Sequence, residues 1–165
     1  MNNQDNQDNQ DNQDNQDNRD NIDIFFIKQA YLYSERSTCV RRKVGCVITK
    51  NKYLLAAGYN GAVTNMKHCT VETCIRNKLK IKSGEKAELC RGCHSEMNAI
   101  AQAVRNGVNI DGSTLYCTTQ PCLYCAKAII SAGIKRLVYC ETYDDINNDL
   151  VSEILSGIIV EVIKI

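Results

Sequence analysis

A chain of 165 residues, 44% of them hydrophobic, is long enough to bury one core and too short for two ordinary domains. Formal net charge is +1, but residues 1–20 hold six Asp and one Arg, so the remainder carries 19 basic against 13 acidic residues, about +6. That excess suits an anionic ligand such as a nucleotide phosphate and falls short of the dense basic stripe of a dedicated nucleic-acid binder.

No run approaches the ~20 apolar residues a bilayer crossing needs. The N-terminus is Asn, Gln and Asp where a secretory signal would need an apolar segment, so a cytoplasmic protein is expected. In a reducing compartment its ten cysteines read as metal ligands, small buried hydrophobes or reactive thiols, with spacing left to decide.

Residues 1–21 form a low-complexity tail, a near-perfect triplet repeat of Asp, Asn and Gln with nothing apolar to bury, and disorder is expected there. A single domain over 22–165 follows. Ile24, Ile27, Ala30 and Tyr31 recur at helical spacing, which predicts an amphipathic helix over 22–36. Val44 to Thr49 and Tyr53 to Ala57 are short apolar runs rich in β-formers around a polar Lys50-Asn51-Lys52 turn, the pattern of a hairpin.

Residues 62–93 show no sustained period and carry seven Lys or Arg, three acidic residues and four cysteines. An irregular insert of that length in a compact domain needs something to tie it down, or a function. Beyond it, Met97, Ile100, Ala101 and Val104 repeat as i, i+3, i+4, i+7, predicting a helix that ends near Gly107. A strand is expected over Thr114 to Thr118. A second helix should run from Pro121, in its first turn, to Gly133 just past its end, with Cys122, Cys125 and Ile129 on one face. A strand over Arg136 to Cys140, a helix over 146–155 and a last strand over Ile158 to Ile163 complete a three-layer α/β domain around a mixed sheet.

Cys122-Leu-Tyr-Cys125 is a C-x-x-C pair at a helix start, where backbone N–H groups and the macrodipole favour thiolates; alone it also fits a redox dithiol. Cys93-His94-Ser95-Glu96 supplies the other half from the start of another helix. His94, Cys122 and Cys125 would give zinc three ligands and leave a fourth position for water, the catalytic arrangement. Residues two apart on a helix do not share a face, so Glu96 can reach water and substrate without binding the metal, the place for a general acid/base.

H-x-E followed by P-C-x-x-C is the known signature of zinc nucleobase deaminases, and here it reads His94-Ser95-Glu96 and Pro121-Cys122-Leu123-Tyr124-Cys125. With Gly58-Tyr59-Asn60-Gly61, Arg36-Ser37-Thr38-Cys39, Cys90-Arg91-Gly92-Cys93 and Gln120 to Tyr139, the chain resembles the deoxycytidylate (dCMP) deaminases from about Tyr31 to Tyr143. It departs at Ser95, where that family usually has Ala.

The resemblance implies a cytidine-deaminase-like fold with a five-stranded sheet, conversion of dCMP to dUMP and ammonia, and proton transfer by Glu96 to N3 and then to the leaving ammonia. It also implies contacts from Asn60 to the nucleotide and from Arg36 and Tyr143 to its phosphate or sugar. A hexamer activated by dCTP and inhibited by dTTP would follow from it too. From the residues alone, Arg36 reads equally as a surface ion-pair former and Asn60 as a turn residue.

Cys69, Cys74, Cys90 and Cys93 are spaced C-x₄-C-x₁₅-C-x₂-C, which suits a structural zinc site, with His68 a competing ligand. The family resemblance replaces Cys93 by Cys39, giving Cys39, Cys69, Cys74 and Cys90. Cys46, Cys117 and Cys140 sit in apolar strand segments, where a free thiol packs as a small hydrophobe.

Overall fold

The computed structural model describes residues 21–142 and 146–165; the tail expected to be disordered, save Asn21, lies outside them, as does Tyr143. Asn21 accepts a hydrogen bond from the Asp23 amide through its side chain, capping helix α1 (Ile22–Ser34) at the point where the repeat gives way to apolar residues. The hairpin follows as β1 (Gly45–Lys50) and β2 (Tyr53–Tyr59), turned by Asn51 and Lys52 in the left-handed region.

The insert is not wholly irregular. It holds a short pairing of β3 (Gly61–Ala62) with β4 (Gly92–Cys93), a one-turn helix α2 (Ile75–Lys78) and a 3-10 turn at Ala87–Leu89. Helix α3 (Ser95–Arg105), strand β5 (Thr114–Thr119), helix α4 (Leu123–Ser131), strand β6 (Arg136–Glu141), helix α5 (Asn148–Leu155) and strand β7 (Ile159–Val162) follow. Gly107 and Gly133 adopt positive φ just past α3 and α4, as the sequence predicts.

The sheet runs β2-β1-β5-β6-β7, antiparallel across its first two pairings and parallel across its last two, the five-stranded mixed sheet expected. Strand period sorts the core into two layers. Val47, Tyr116 and Val138 face α1 with Phe26 and Ile27. Their neighbours Cys46, Ile48, Leu115, Cys117 and Leu137 face the other side, where Ala99 and Ala103 of α3, Ala126 and Ile129 of α4 and Val151 and Leu155 of α5 cover them. Cys46 and Cys117 are fully buried, whereas Cys140 is only partly so.

Two glycines allow the helices to lie this close. A Cβ on Gly45 would land in the α1 backbone at Ala30 and Ser34, and one on Gly58 in the α3 backbone at Ser95 and Ala99. That intimacy decides which side of α3 meets the sheet. Its sheet-facing side is Ser95, Glu96, Ala99 and Ala103, while Met97 and Val104 of the apolar stripe point outward at 38% and 73% exposure. The gap left over Gly58 takes only small side chains, so Ala99 fills it while Ile100 is partly buried against the core beside it.

At the end of the sheet away from the helix starts, Arg136 forks onto two carboxylates, donating to Asp23 at 2.8 and 2.8 Å and to Glu161 at 3.0 and 2.8 Å. The Tyr116 hydroxyl donates to Asp23 at 2.7 Å. Chiefly through the Arg136 hydrogen bonds, the Asp23 carboxyl is held below its usual range. A group whose folded pKa is depressed contributes stability above its unfolded pKa and loses it as pH falls through the folded one. Asp23→Asn should therefore cost about 1.5–3 kcal/mol at neutral pH, the range for hydrogen bonds to charged groups. In denaturant melts of both proteins the gap should close below the ordinary carboxylate range; a gap that persists into acid would reject a charge-dependent contribution. No helix among the described residues is long and apolar enough to cross a membrane.

Candidate active site and metal centre

The starts of α3 and α4 meet beside the C-terminal end of β5. His94 is the N-cap of α3 and Cys122 the N-cap of α4, both in extended backbone conformations that turn their side chains toward the meeting point. Pro121 therefore precedes the cap and does not occupy the first turn as its position suggested, because Cys122, with ψ 170°, stays outside the helix. Cys125, one turn in, completes the trio: His94 Nδ1 lies 3.3 Å from Cys122 Sγ and 3.4 Å from Cys125 Sγ.

Among the described residues these three form the group of possible metal ligands whose donor atoms all lie within 4.8 Å of one another. One imidazole and two thiols, buried or half-buried, are a donor set that zinc accepts. The local electrostatics already favour it. Hydrogen bonding from the Cys125 thiol, and then from His94, brings Cys122 down to about 4 against the opposing effect of burial. His94 is raised to about 8, chiefly by its hydrogen bond with Cys122, while Cys125 is pushed well up by its hydrogen bond with Cys122 and by burial. The free site thus keeps protons where a cation would sit, and metal binding releases them.

Glu96 lies on the same helix start, 4% exposed, lining the cavity with His94 and Cys122. Burial, the largest influence on it, raises its pKa above the ordinary carboxylate value. Ser95 does more than fill space: its hydroxyl donates to Glu96 Oε2 at 2.9 Å.

Asn60, 9% exposed, also lines the cavity, but most of its amide is committed to shaping it. Its Oδ1 accepts from the Ser37 hydroxyl at 2.6 Å and the Val44 amide at 2.8 Å, and its Nδ2 donates to the Arg42 carbonyl at 2.8 Å. One Nδ2 hydrogen is left for a ligand. Both readings of Asn60, turn residue and substrate contact, are thus open to one side chain.

Arg36 is exposed after the end of α1 and does not line the cavity. The arginines that do are Arg41, Arg42 and Arg76, none of which the motifs singled out. The only signal for Arg76 was the basic character of the insert. Thr119 also lines the cavity, from the end of β5, again without a sequence signal.

The insert thiols are arranged more loosely than the trio. Cys69 lies near enough to Cys74, Cys90 and Cys39 for their charges to act on it, while Cys93, paired across the strands with Gly61, is instead influenced by Glu96. Cys39 and Cys90 each accept a hydrogen bond from the backbone amide two residues on, at 3.5 Å from Arg41 and 3.3 Å from Gly92. Cys74 is buried and His68 exposed.

A family model of the cytidine and deoxycytidylate deaminase zinc-binding region matches residues 20–141. Among curated relatives, ComE operon protein 2 of Bacillus subtilis (strain 168) is 42% identical over 119 residues, covering 72% of this chain and 59% of its own. The deoxycytidylate deaminase of Enterobacteria phage T2 is 41% identical over 145 residues, covering 70% of this chain and 77% of its own. The crystal structure of dCMP deaminase from the cyanophage S-TIM5 in complex with dCMP and dUMP superposes with a TM-score of 0.68 at 31% identity, over 86% of this chain and 96% of that one.

Proposed function

The chain belongs to the cytidine and deoxycytidylate deaminase family, and from that premise we propose that it hydrolyses dCMP to dUMP and ammonia, the step that supplies a precursor of dTMP. The observation that carries this reading is a buried carboxyl, Glu96, two residues from an imidazole whose Nδ1 lies 3.3 and 3.4 Å from two thiol sulfurs. That arrangement suits hydrolysis at an amidine carbon and has no use in a zinc site that serves only to fold.

His94, Cys122 and Cys125 would hold the zinc, which when bound supplies a Lewis acid that lets water ionise near neutral pH. Glu96 would handle the protons: its carboxylate takes one from water and delivers it to N3 of the ring, then takes the second from the new C4 hydroxyl and passes it to the amino group, which leaves as ammonia while C4 becomes a carbonyl. Burial keeps the carboxyl away from bulk water, so each proton goes to the substrate and not to solvent. The Ser95 hydrogen bond fixes which way the carboxyl faces.

Substrate contacts are the finer part of the reading. The free Nδ2 hydrogen of Asn60 is offered to the nucleotide, and Tyr143 is retained as a phosphate or sugar contact. Arg36, proposed on the same ground, is not among the residues lining the cavity, whereas Arg41, Arg42 and Arg76 are.

A second, structural zinc on Cys39, Cys69, Cys74 and Cys90 is supported by their gathering around Cys69 and by the backbone amides that donate to the sulfurs of Cys39 and Cys90. A cytoplasmic hexamer responsive to dCTP and dTTP follows the family resemblance, and the outward Met97 and Val104 of α3 give such an assembly apolar surface to bury. The test is a panel of dCMP, deoxycytidine, dCTP and an RNA hairpin offered to zinc-loaded protein, with released ammonia measured. Release from dCMP well above the others is expected; preference for deoxycytidine or the hairpin would reject the substrate assignment.

A further inference from the structure

Among the described residues, three side-chain polar atoms are buried without a hydrogen-bond partner: Arg76 Nε, Ser113 Oγ and Thr119 Oγ1. Arg76 and Thr119 line the cavity that holds His94 and Glu96. A buried donor left unmade is costly, and a guanidinium is the most demanding case because it carries a full charge. Arg76 has no carboxylate within ion-pairing distance among the described residues; the one partner of its guanidinium is the Lys82 carbonyl, which accepts from Nη2 at 3.1 Å. Such a group is shaped for an anion that arrives from outside.

The other two arginines of the cavity are differently placed. Arg41 gives its terminal nitrogens to Asn77 Oδ1 at 3.3 Å and to the Ile81 carbonyl at 2.7 Å, which fastens the insert to the loop after α1. Arg42 faces Glu141 at 3.9 Å. Beside Arg76, the same insert lines the cavity with Ser83, a further hydroxyl donor, and Gly84, whose positive φ of 84° turns the backbone tightly there.

We propose that Arg76, brought into the active-site cavity by the Cys-rich insert, binds the 5′-phosphate of the substrate and so selects a nucleotide over a nucleoside. The inference rests on the dCMP reading above and adds to it a residue and a purpose for the insert. A planar guanidinium with unused N–H groups matches phosphate oxygens in a way that a lysine ammonium does not. The α2 turn and the fastening by Arg41 are then the means of holding that guanidinium opposite the metal trio.

The test uses zinc-loaded full-length protein and the variants Arg76→Gln and Arg76→Lys. Losing a charge-assisted contact to phosphate should raise KM for dCMP and Kd for dUMP, the latter by calorimetry, by about 10–100-fold in Arg76→Gln. The kcat for dCMP should stay within a few-fold, deoxyuridine binding should not change, and Arg76→Lys should recover part of the loss. Unchanged dUMP affinity in Arg76→Gln would overturn the proposal. So would an equal loss for dUMP and deoxyuridine, which would leave Arg76 only a role in holding the insert. Wild-type protein that binds dUMP but releases no ammonia from dCMP would sink the functional reading instead, independently of Arg76.

Discussion

Glu96→Gln should lower kcat for dCMP by about 10²–10⁴-fold, the usual contribution of a positioned general acid/base, while zinc content stays at the wild-type value. The substitution keeps the shape and volume of the buried side chain and an oxygen able to accept from Ser95, so neither cavity nor fold is disturbed. What it removes is the capacity to carry a proton. Burial raises the carboxyl above its usual range, and a neutral amide has no ionisable proton to exchange in its place. Glu96→Ala would test the same role less cleanly, since it also leaves a void beside His94. Full turnover in Glu96→Gln, with zinc measured in the same sample, would show that another group moves the protons.

How much of this could be read from the residues alone divides along physical lines. The metal trio and Glu96 were legible because ligand chemistry and helix starts tie residue type to spacing: His94 and Glu96 two apart, Cys122 and Cys125 one turn apart. The α/β architecture with a mixed sheet followed from strand runs alternating with helices, and the glycines after α3 and α4 fell where positive φ is needed. Helix α3 itself was legible from its apolar period, but the side that meets the sheet was not, because periodicity reports which residues share a side and not how much room the neighbour leaves. Gly58 reduces that room to the size of Ala99 and Ala103, and Met97 and Val104 face outward.

Arg76 was illegible for a different reason. Its place in the cavity depends on the insert folding back through the β3–β4 pairing and the Arg41 contacts, which are long-range in sequence and leave no periodic trace. The same holds for Arg41 and Arg42 on the cavity wall. Nothing in the local sequence says that the chain turns there, since Ser37 and Val44 are tied to Asn60 across about twenty residues of hairpin and loop.

Metal stoichiometry gives the other large expected effect, and it separates the two zinc assignments. Protein purified without chelator should carry about two zinc ions per chain, one catalytic and one structural. Cys125→Ser should lose one of them and lower turnover by more than the ~10–100-fold that loss of an outer-shell partner costs, because a first ligand is gone. Its thermal stability should fall only modestly, since Ala126 and Ile129, which hold α4 on the sheet, are untouched. Cys74→Ser should also lose one zinc but with the opposite balance: the trio is intact, so the catalytic ion stays, while the insert loosens and stability falls more. Turnover should then drop mainly through KM, because the insert carries Arg76 and Ser83 on the cavity wall. If Cys74→Ser retains both ions, Cys74 is not a ligand and Cys39, Cys69 and Cys90 need another partner. If Cys125→Ser retains both ions and full turnover, the meeting of the α3 and α4 starts is not the metal centre.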